Sequence, residues 1–249
     1  GRIIEDKEIK EMIFSTKPYS SWIQKKMVEL DNLKHEPRAT SHEPRNVDIL
    51  GLLKAFGYTR EDLKFIVKPM AEKASEPIGS MGDDTPHALL SARPQLLYNY
   101  FRQLFAQVTN PAIDPIREEL VMSLETYLGP EENLLAETPQ HCHKLRVKKP
   151  ILTNEELEKI RHIRVNGFKT KTISILFRAT DGKDLEKTLD NLCSQVVLAI
   201  KQGYAFVILS DRGANEDYCA LPALLAVGAV HYYLVQKALR TRVGIIVES

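Results

Sequence analysis

Apolar positions along the chain follow two different grammars, and the clearer one occupies the last third. Ile173, Ile175 and Phe177 alternate, which predicts a strand with one buried face. Leu185, Leu189, Leu192, Val196 and Ile200 then recur at helical spacing, with Gly203 just past the helix end. Ala205 to Leu209 is a continuous apolar run of the buried-strand type. Pro222 opens another helix, running to about Arg240, and Val243 to Val247 closes as a strand. Strand, helix, strand, helix, strand predicts parallel strands joined by right-handed crossovers.

The front of the chain is more broken. Residues 1–75 are charged and punctuated, with Glu36-Pro37 and Glu43-Pro44 marking an irregular loop between short helices. Leu50, Leu53 and Phe56 predict a helix over Val47 to Phe56 that ends at Gly57, and Thr59 with Asp62 predicts the cap of the next one. From Ser91 to Leu128 the periodicity is helical: Leu97, Phe101, Leu104 and Val108 form one stripe, flanked by Leu96, Tyr100 and Phe105. Thr109-Asn110-Pro111 interrupts it, because the residue before a proline is pushed out of the α region. A second helix then carries Ile116, Leu120, Leu124 and Tyr127 and stops at Gly129-Pro130. Glu137 to Pro150 reads as a basic linker crossing the surface, followed by a capping box of Thr153 and Glu156 with Leu152 stapled onto Leu157. The expected organisation is a lead-in over 1–75 and a core over 76–249, helical across 86–165 and parallel α/β across 167–249, in one compact unit. No internal repeat is visible.

Composition narrows the partners. With 34 Lys and Arg against 33 Asp and Glu in 249 residues, the net charge is +1, which removes the electrostatic case for nucleic acid or an anionic membrane as main partner. No apolar run approaches the ~20 residues of a membrane span. Three scattered cysteines, Cys142, Cys193 and Cys219, suit a reducing cytoplasm better than a disulfide framework. The chain opens without Met and stops directly after an apolar run, so an excised piece of a longer polypeptide is expected.

Four features offer chemistry, each beside a plainer role. Glu76 to Pro86 holds Gly79 and Gly82, a helix cap at Asp84 or Thr85, and the carboxylates Asp83 and Asp84; it is either a shaped capping loop, a functional loop or a hard-cation site. Gln107, Thr109 and Asn110 either satisfy the last carbonyls of a helix or line a polar passage. Ser210-Asp211-Arg212-Gly213 follows a parallel strand, where α/β proteins place ligands, although Asp211 paired with a local Arg explains it equally. His141-Cys142-His143 resembles half a zinc site, but structural zinc needs a second ligand pair at defined spacing. No dinucleotide or Walker-type phosphate loop follows any strand.

Several of these stretches together resemble one family. Glu76 to Pro86, Tyr100 to Ile116, Arg117 to Leu124, Pro150 to Glu156, Leu209 to Gly213, Leu221 to Leu225 and the ending Thr241 to Ser249 are similar to the central domain of the large (alpha) subunit of glutamate synthase. The resemblance implies an α/β fold: an incomplete TIM-barrel-like unit, like the FMN-linked oxidoreductase barrel but without flavin. It implies an enzyme in which an amidotransferase domain hydrolyses glutamine with an N-terminal cysteine. Ammonia then passes through an internal tunnel to an FMN domain, adds to 2-oxoglutarate, and the imine is reduced to glutamate with electrons relayed by an iron–sulfur cluster. The partners implied are the neighbouring amidotransferase and FMN domains, with a small electron-donating subunit or ferredoxin.

Residue 1 is Gly rather than a nucleophilic cysteine, and the three cysteines lack cluster spacing. The segment by itself is therefore expected to be inactive, with no catalytic, cofactor or metal residues of its own. Its expected role is to hold two sites in register and wall off the ammonia route, along a seam of Glu76, Ser80, Met81, Asp83, Thr85, Gln107, Thr109 and Asn110. Ser210, Asp211 and Arg212 form a second candidate site. The alternative from another class is a free-standing FMN-dependent barrel oxidoreductase, which the βαβαβ tail suggests.

Overall fold

In chain order the elements are α1 (Asp6–Phe14), α2 (Tyr19–Lys26), β1 (Val28–Glu29), α3 (Ile49–Ala55), α4 (Arg60–Asp62), α5 (Lys68–Lys73), α6 (Pro115–Val121), β2 (Thr126–Leu128), β3 (Leu145–Val147) and α7 (Asn154–Arg161). The C-terminal part continues with β4 (Thr170–Ser174), β5 (Leu176–Arg178), α8 (Lys183–Lys201), β6 (Phe206–Ser210), β7 (Tyr218–Ala220), α9 (Ala223–Gln236) and β8 (Gly244–Glu248). The computed structural model describes residues 2–34, 48–75, 77, 86, 88–92, 95–101, 113–178 and 183–249.

The strands β4, β6 and β8 pair in that order and are all parallel, with Thr170 opposite Phe206 and Phe206 opposite Gly244. Each neighbour in the sheet is the next of these strands in sequence, with α8 and α9 as the crossovers. The result is a mixed α/β fold around an open three-stranded parallel sheet; the described strands close no barrel.

All five residues of β6 are buried, because both faces of the sheet are covered. The period of two along a strand sends Val207 and Leu209 into one cluster with Leu192, Val196, Val230 and Leu234 of α8 and α9. Phe206 and Ile208 face the opposite cluster, which holds Leu145 and Val147 of β3 and Ile160 of α7. Phe168 ties that second layer together, its ring 5.0 Å from Phe206 and stacked 4.2 Å from His143.

Local signals hold where side chains cap helices. Thr59 Oγ1 accepts from Asp62 N at 3.1 Å, and Asp62 Oδ2 accepts from Thr59 N at 2.8 Å, so the short aspartate completes the box itself. Thr153 and Glu156 do the same at the start of α7, at 3.2 and 2.7 Å.

Five expectations need correcting, the first being the helix read from Ser91: among the described residues there only a single 3-10 turn, Leu97–Tyr100, is helical, and Leu104, Phe105 and Val108 lie outside them. Residues 137–150 are no surface linker: Leu145 and Val147 are buried, and β3 is the central strand of a sheet ordered β1-β3-β2. Its alternation covers only three residues, too few to outweigh the surrounding prolines and charges. The helix expected to reach Tyr127 ends at Val121, and Tyr127 lies in β2, opposite Arg146 of β3. Exposed Ile116 and Leu124 show why: these two apolar residues meet no core, so tertiary pairing decides the backbone. The strand read over Ile173 to Phe177 divides at Ile175, whose N–H donates to Ser210 O while its carbonyl accepts from Leu221 N, both at 2.9 Å. It thereby changes partner, and Phe177 pairs antiparallel with Cys219 in a separate two-stranded ribbon, β5-β7. Finally, α9 stops at Gln236, short of Arg240.

Candidate functional site

The register of the parallel sheet lines up Ser174, Ser210 and Glu248 on one rim, at the carboxyl ends of β4, β6 and β8. The chain leaves β6 through Asp211 and Arg212 and turns at Gly213, whose φ of +95° favours a residue without a Cβ. This rim is where open α/β sheets gather ligands.

Glu248 is the hub of the rim. Its Oε2 accepts from Ser210 Oγ at 2.5 Å, and its Oε1 accepts from Arg212 Nε at 2.5 Å and Arg161 Nη2 at 2.8 Å. Arg161 reaches on to Glu158 Oε1 and Thr172 Oγ1, each at 2.7 Å. One guanidinium therefore joins α7, β4 and β8. Asp211 does not pair with a local arginine: its Oδ2 accepts from Ser249 Oγ at 2.7 Å, and it is Glu248 that takes Arg212.

The two buried carboxylates titrate in opposite directions. Burial acts to raise Glu248, but hydrogen bonds from Ser210, Arg161 and Arg212 outweigh it and hold the carboxyl below its ordinary range. Burial pushes Asp211 up, the Ser249 bond pulls partly back, and the neighbouring Glu248 charge adds to the rise.

Chemically this arrangement positions rather than activates. The Ser210 hydroxyl donates its hydrogen bond to a carboxylate already shared by two guanidiniums, and among the described residues no histidine enters these contacts. His141 Nδ1 is 3.1 Å from Thr138 Oγ1, and His143 Nε2 is 2.8 Å from Asn166 O, so the two flank Cys142 on separate duties. Among the described residues no group of three His, Cys, Asp or Glu is placed to hold a metal ion.

Of the candidate residues, Ser210, Asp211 and Arg212 are brought together on the rim. Glu76, Ser80, Met81, Asp83, Thr85, Gln107, Thr109 and Asn110 lie outside the described residues. Sequence reasoning missed Glu248 and Arg161, the two residues that organise the rim. A glutamate ending one parallel strand level with Ser-Asp-Arg after its neighbour was the available signal. It needed the strand order to be read.

Residues 52–249 match the family profile described as the glutamate synthase central domain. The chain belongs to that family. All of it aligns with the glutamate synthase (NADPH) large chain of Bacillus subtilis at 43% identity, covering 16% of that protein. It aligns equally fully with the glutamate synthase (NADH) of Schizosaccharomyces pombe at 40% identity, covering 12%, and with the chloroplastic ferredoxin-dependent glutamate synthase of Oryza sativa at 37%, covering 15%. The central-domain chain thus spans about one-seventh of these relatives; the rim and the cluster around Val207 and Leu209 fall within the matched residues, and the cluster around Phe206 does so apart from Val28 and Leu30. Among the described residues no helix is long and apolar enough to cross a membrane.

Proposed function

We propose that this chain is the non-flavin central domain of a cytoplasmic glutamate synthase. In that enzyme it links the glutamine amidotransferase site to the FMN site where 2-oxoglutarate becomes glutamate, and it walls part of the ammonia route. The observation that carries the reading is the alignment of the whole chain with glutamate synthases of which it forms only 12–16%. The remainder of such a polypeptide has ample room for two catalytic domains and the iron–sulfur ligands. Channelling has a physical purpose, since ammonia protonates readily in neutral water and ammonium has no free electron pair.

The sequential order of β4, β6 and β8 with helical crossovers is the order a piece of a β/α barrel would have. At the rim both guanidiniums, Arg161 and Arg212, are already taken by the buried Glu248 carboxylate, which weighs against their holding a flavin phosphate. Of the cysteines, Cys193 is buried in α8 with its thiol pushed up by burial, the reverse of what a thiolate ligand needs. The free-standing FMN oxidoreductase is therefore the weaker reading.

The proposed seam of Glu76, Ser80, Met81, Asp83, Thr85, Gln107, Thr109 and Asn110 supplies the test. In the full-length enzyme, Thr109→Leu with Asn110→Leu should lower glutamate formation several-fold while glutamine hydrolysis stays measurable. Parallel assays of released ammonia and formed glutamate check this. Two rates that stay wild type and matched would refute the seam.

A further inference from the structure

A groove of about 810 Å³ runs between α2, β1 and the turn after α7. Its lining is apolar at Ile23, Met27, Ile163 and Val165 and cationic at Lys34, Arg146, Lys159 and Arg164, with Glu29 as the one carboxylate among the described residues. Some of this charge is already answered: Arg146 holds Glu29 at 3.2 Å and Glu125 at 2.5 Å, and Lys159 lies 3.5 Å from Glu155. Lys34 and Arg164 have no carboxylate within ion-pair distance among the described residues, and Arg164 Nη1 donates only to the Ile163 carbonyl at 2.8 Å. Among the described residues, Arg146 Nε is the one buried side-chain polar atom without a hydrogen-bond partner.

We infer that this groove docks a carboxylate-bearing segment with apolar anchors, contributed by the same polypeptide from outside these 249 residues. The inference rests on the reading of the chain as one domain of a glutamate synthase, whose other 84–88% lies beyond this segment in the relatives named above. Charge selects this occupant over two others. Residues 35–47 follow Lys34 directly but carry Arg38 and Arg45 against Glu36 and Glu43, so they bring no negative surplus. A second copy carries a net charge of +1, so no overall attraction draws it to a cationic groove. A groove suits a strip of chain, which satisfies rim cations while burying its apolar residues beneath them.

Zero-length carbodiimide cross-linking of the full-length enzyme tests this, because it joins a lysine amine directly to a carboxylate in contact with it. Lys148 with Asp31, 2.5 Å apart, gives the reference product within the segment. The expected result is Lys34 or Lys159 joined to an Asp or Glu outside the 249 residues. That product should fall at least tenfold in Arg164→Glu while the reference product persists. Products joining these lysines only within the segment, to Glu36 or Glu43, or to an isotopically distinguished second copy would overturn the inference. So would an external product that Arg164→Glu leaves unchanged. Coupling of ammonia release to glutamate formation is measured separately, so a failed groove and a failed channel give different results.

Discussion

The two ends of the molecule bury their apolar residues in opposite ways. Around β6 every strand residue is enclosed, with α8 and α9 on one face and β3, α7 and Phe168 on the other. In the front, α1, α2, α3, α4 and α5 bury no residue, and Met12, Phe14, Phe65 and Met70 stand exposed. The same hydrophobic periodicity therefore has two meanings. In the parallel unit it records packing within the chain. In the front it leaves apolar side chains exposed, in a chain that spans about one-seventh of its relatives.

The sharpest way to break this contrast is to hollow out the enclosed half. Phe206 is fully buried and bridges the parallel sheet to Phe168 and thence to His143. Phe206→Ala removes a ring that the surrounding layers cannot collapse to replace, and should cost about 3–5 kcal/mol. Equilibrium urea unfolding checks it. A loss below about 1 kcal/mol would mean that the two layers are not mutually dependent.

The same contrast explains what the sequence revealed. The parallel unit was legible because α8 holds one apolar stripe over nineteen residues and β6 is uniformly apolar, so pattern and packing agree. The front misled because β1, β2 and β3 are two or three residues long, below the length at which alternation can be distinguished from chance. The loop at Ser210 was legible as a place, since loops after parallel strands are. Its organisation was not, because Glu248 and Arg161 are 38 and 49 positions from Ser210 in sequence and meet it only through strand order and the seating of α7.

Next in size is the rim. Glu248→Ala leaves Arg161, largely buried, without its deepest partner and should cost about 3 kcal/mol, toward the low end for broken buried pairs because Arg212 is half exposed. Glu248→Gln keeps an acceptor for Ser210 and should cost less. It should also change the response to acid. Because the folded Glu248 pKa is lowered, its stabilisation is present above the unfolded carboxylate pKa and is lost as pH falls through the folded value. Asp211, raised, contributes the other way: its stabilisation is present below its unfolded pKa and is lost as pH rises through the folded value. Glu248→Gln should therefore flatten the acid limb of the stability profile, and Asp211→Asn should flatten the decline just above the ordinary carboxylate range. Urea midpoints measured across that range check both, and two unaltered limbs would show that neither carboxyl is coupled to folding as the geometry requires.

The smallest effect belongs to the front, and it tests the comparison from its other side. Ile13 lies on α1, 54% exposed, in a helix with no buried residue. Little apolar area leaves water there when the chain folds, so the transfer term that dominates at Phe206 is nearly absent. Ile13→Ser should change the stability of the 249-residue chain by no more than about 0.5 kcal/mol, the usual range for surface positions. In the full-length enzyme the outcome should differ if this face is covered by the rest of the polypeptide. There the same substitution removes a buried methyl surface and should speed amide hydrogen exchange in α1 by about tenfold, the factor that about 1.4 kcal/mol represents. Exchange measured by mass spectrometry on both proteins separates the cases. Equal rates in variant and wild-type full-length enzyme would mean that the exposed stripe of α1 meets water there too, and that its periodicity records helix formation alone.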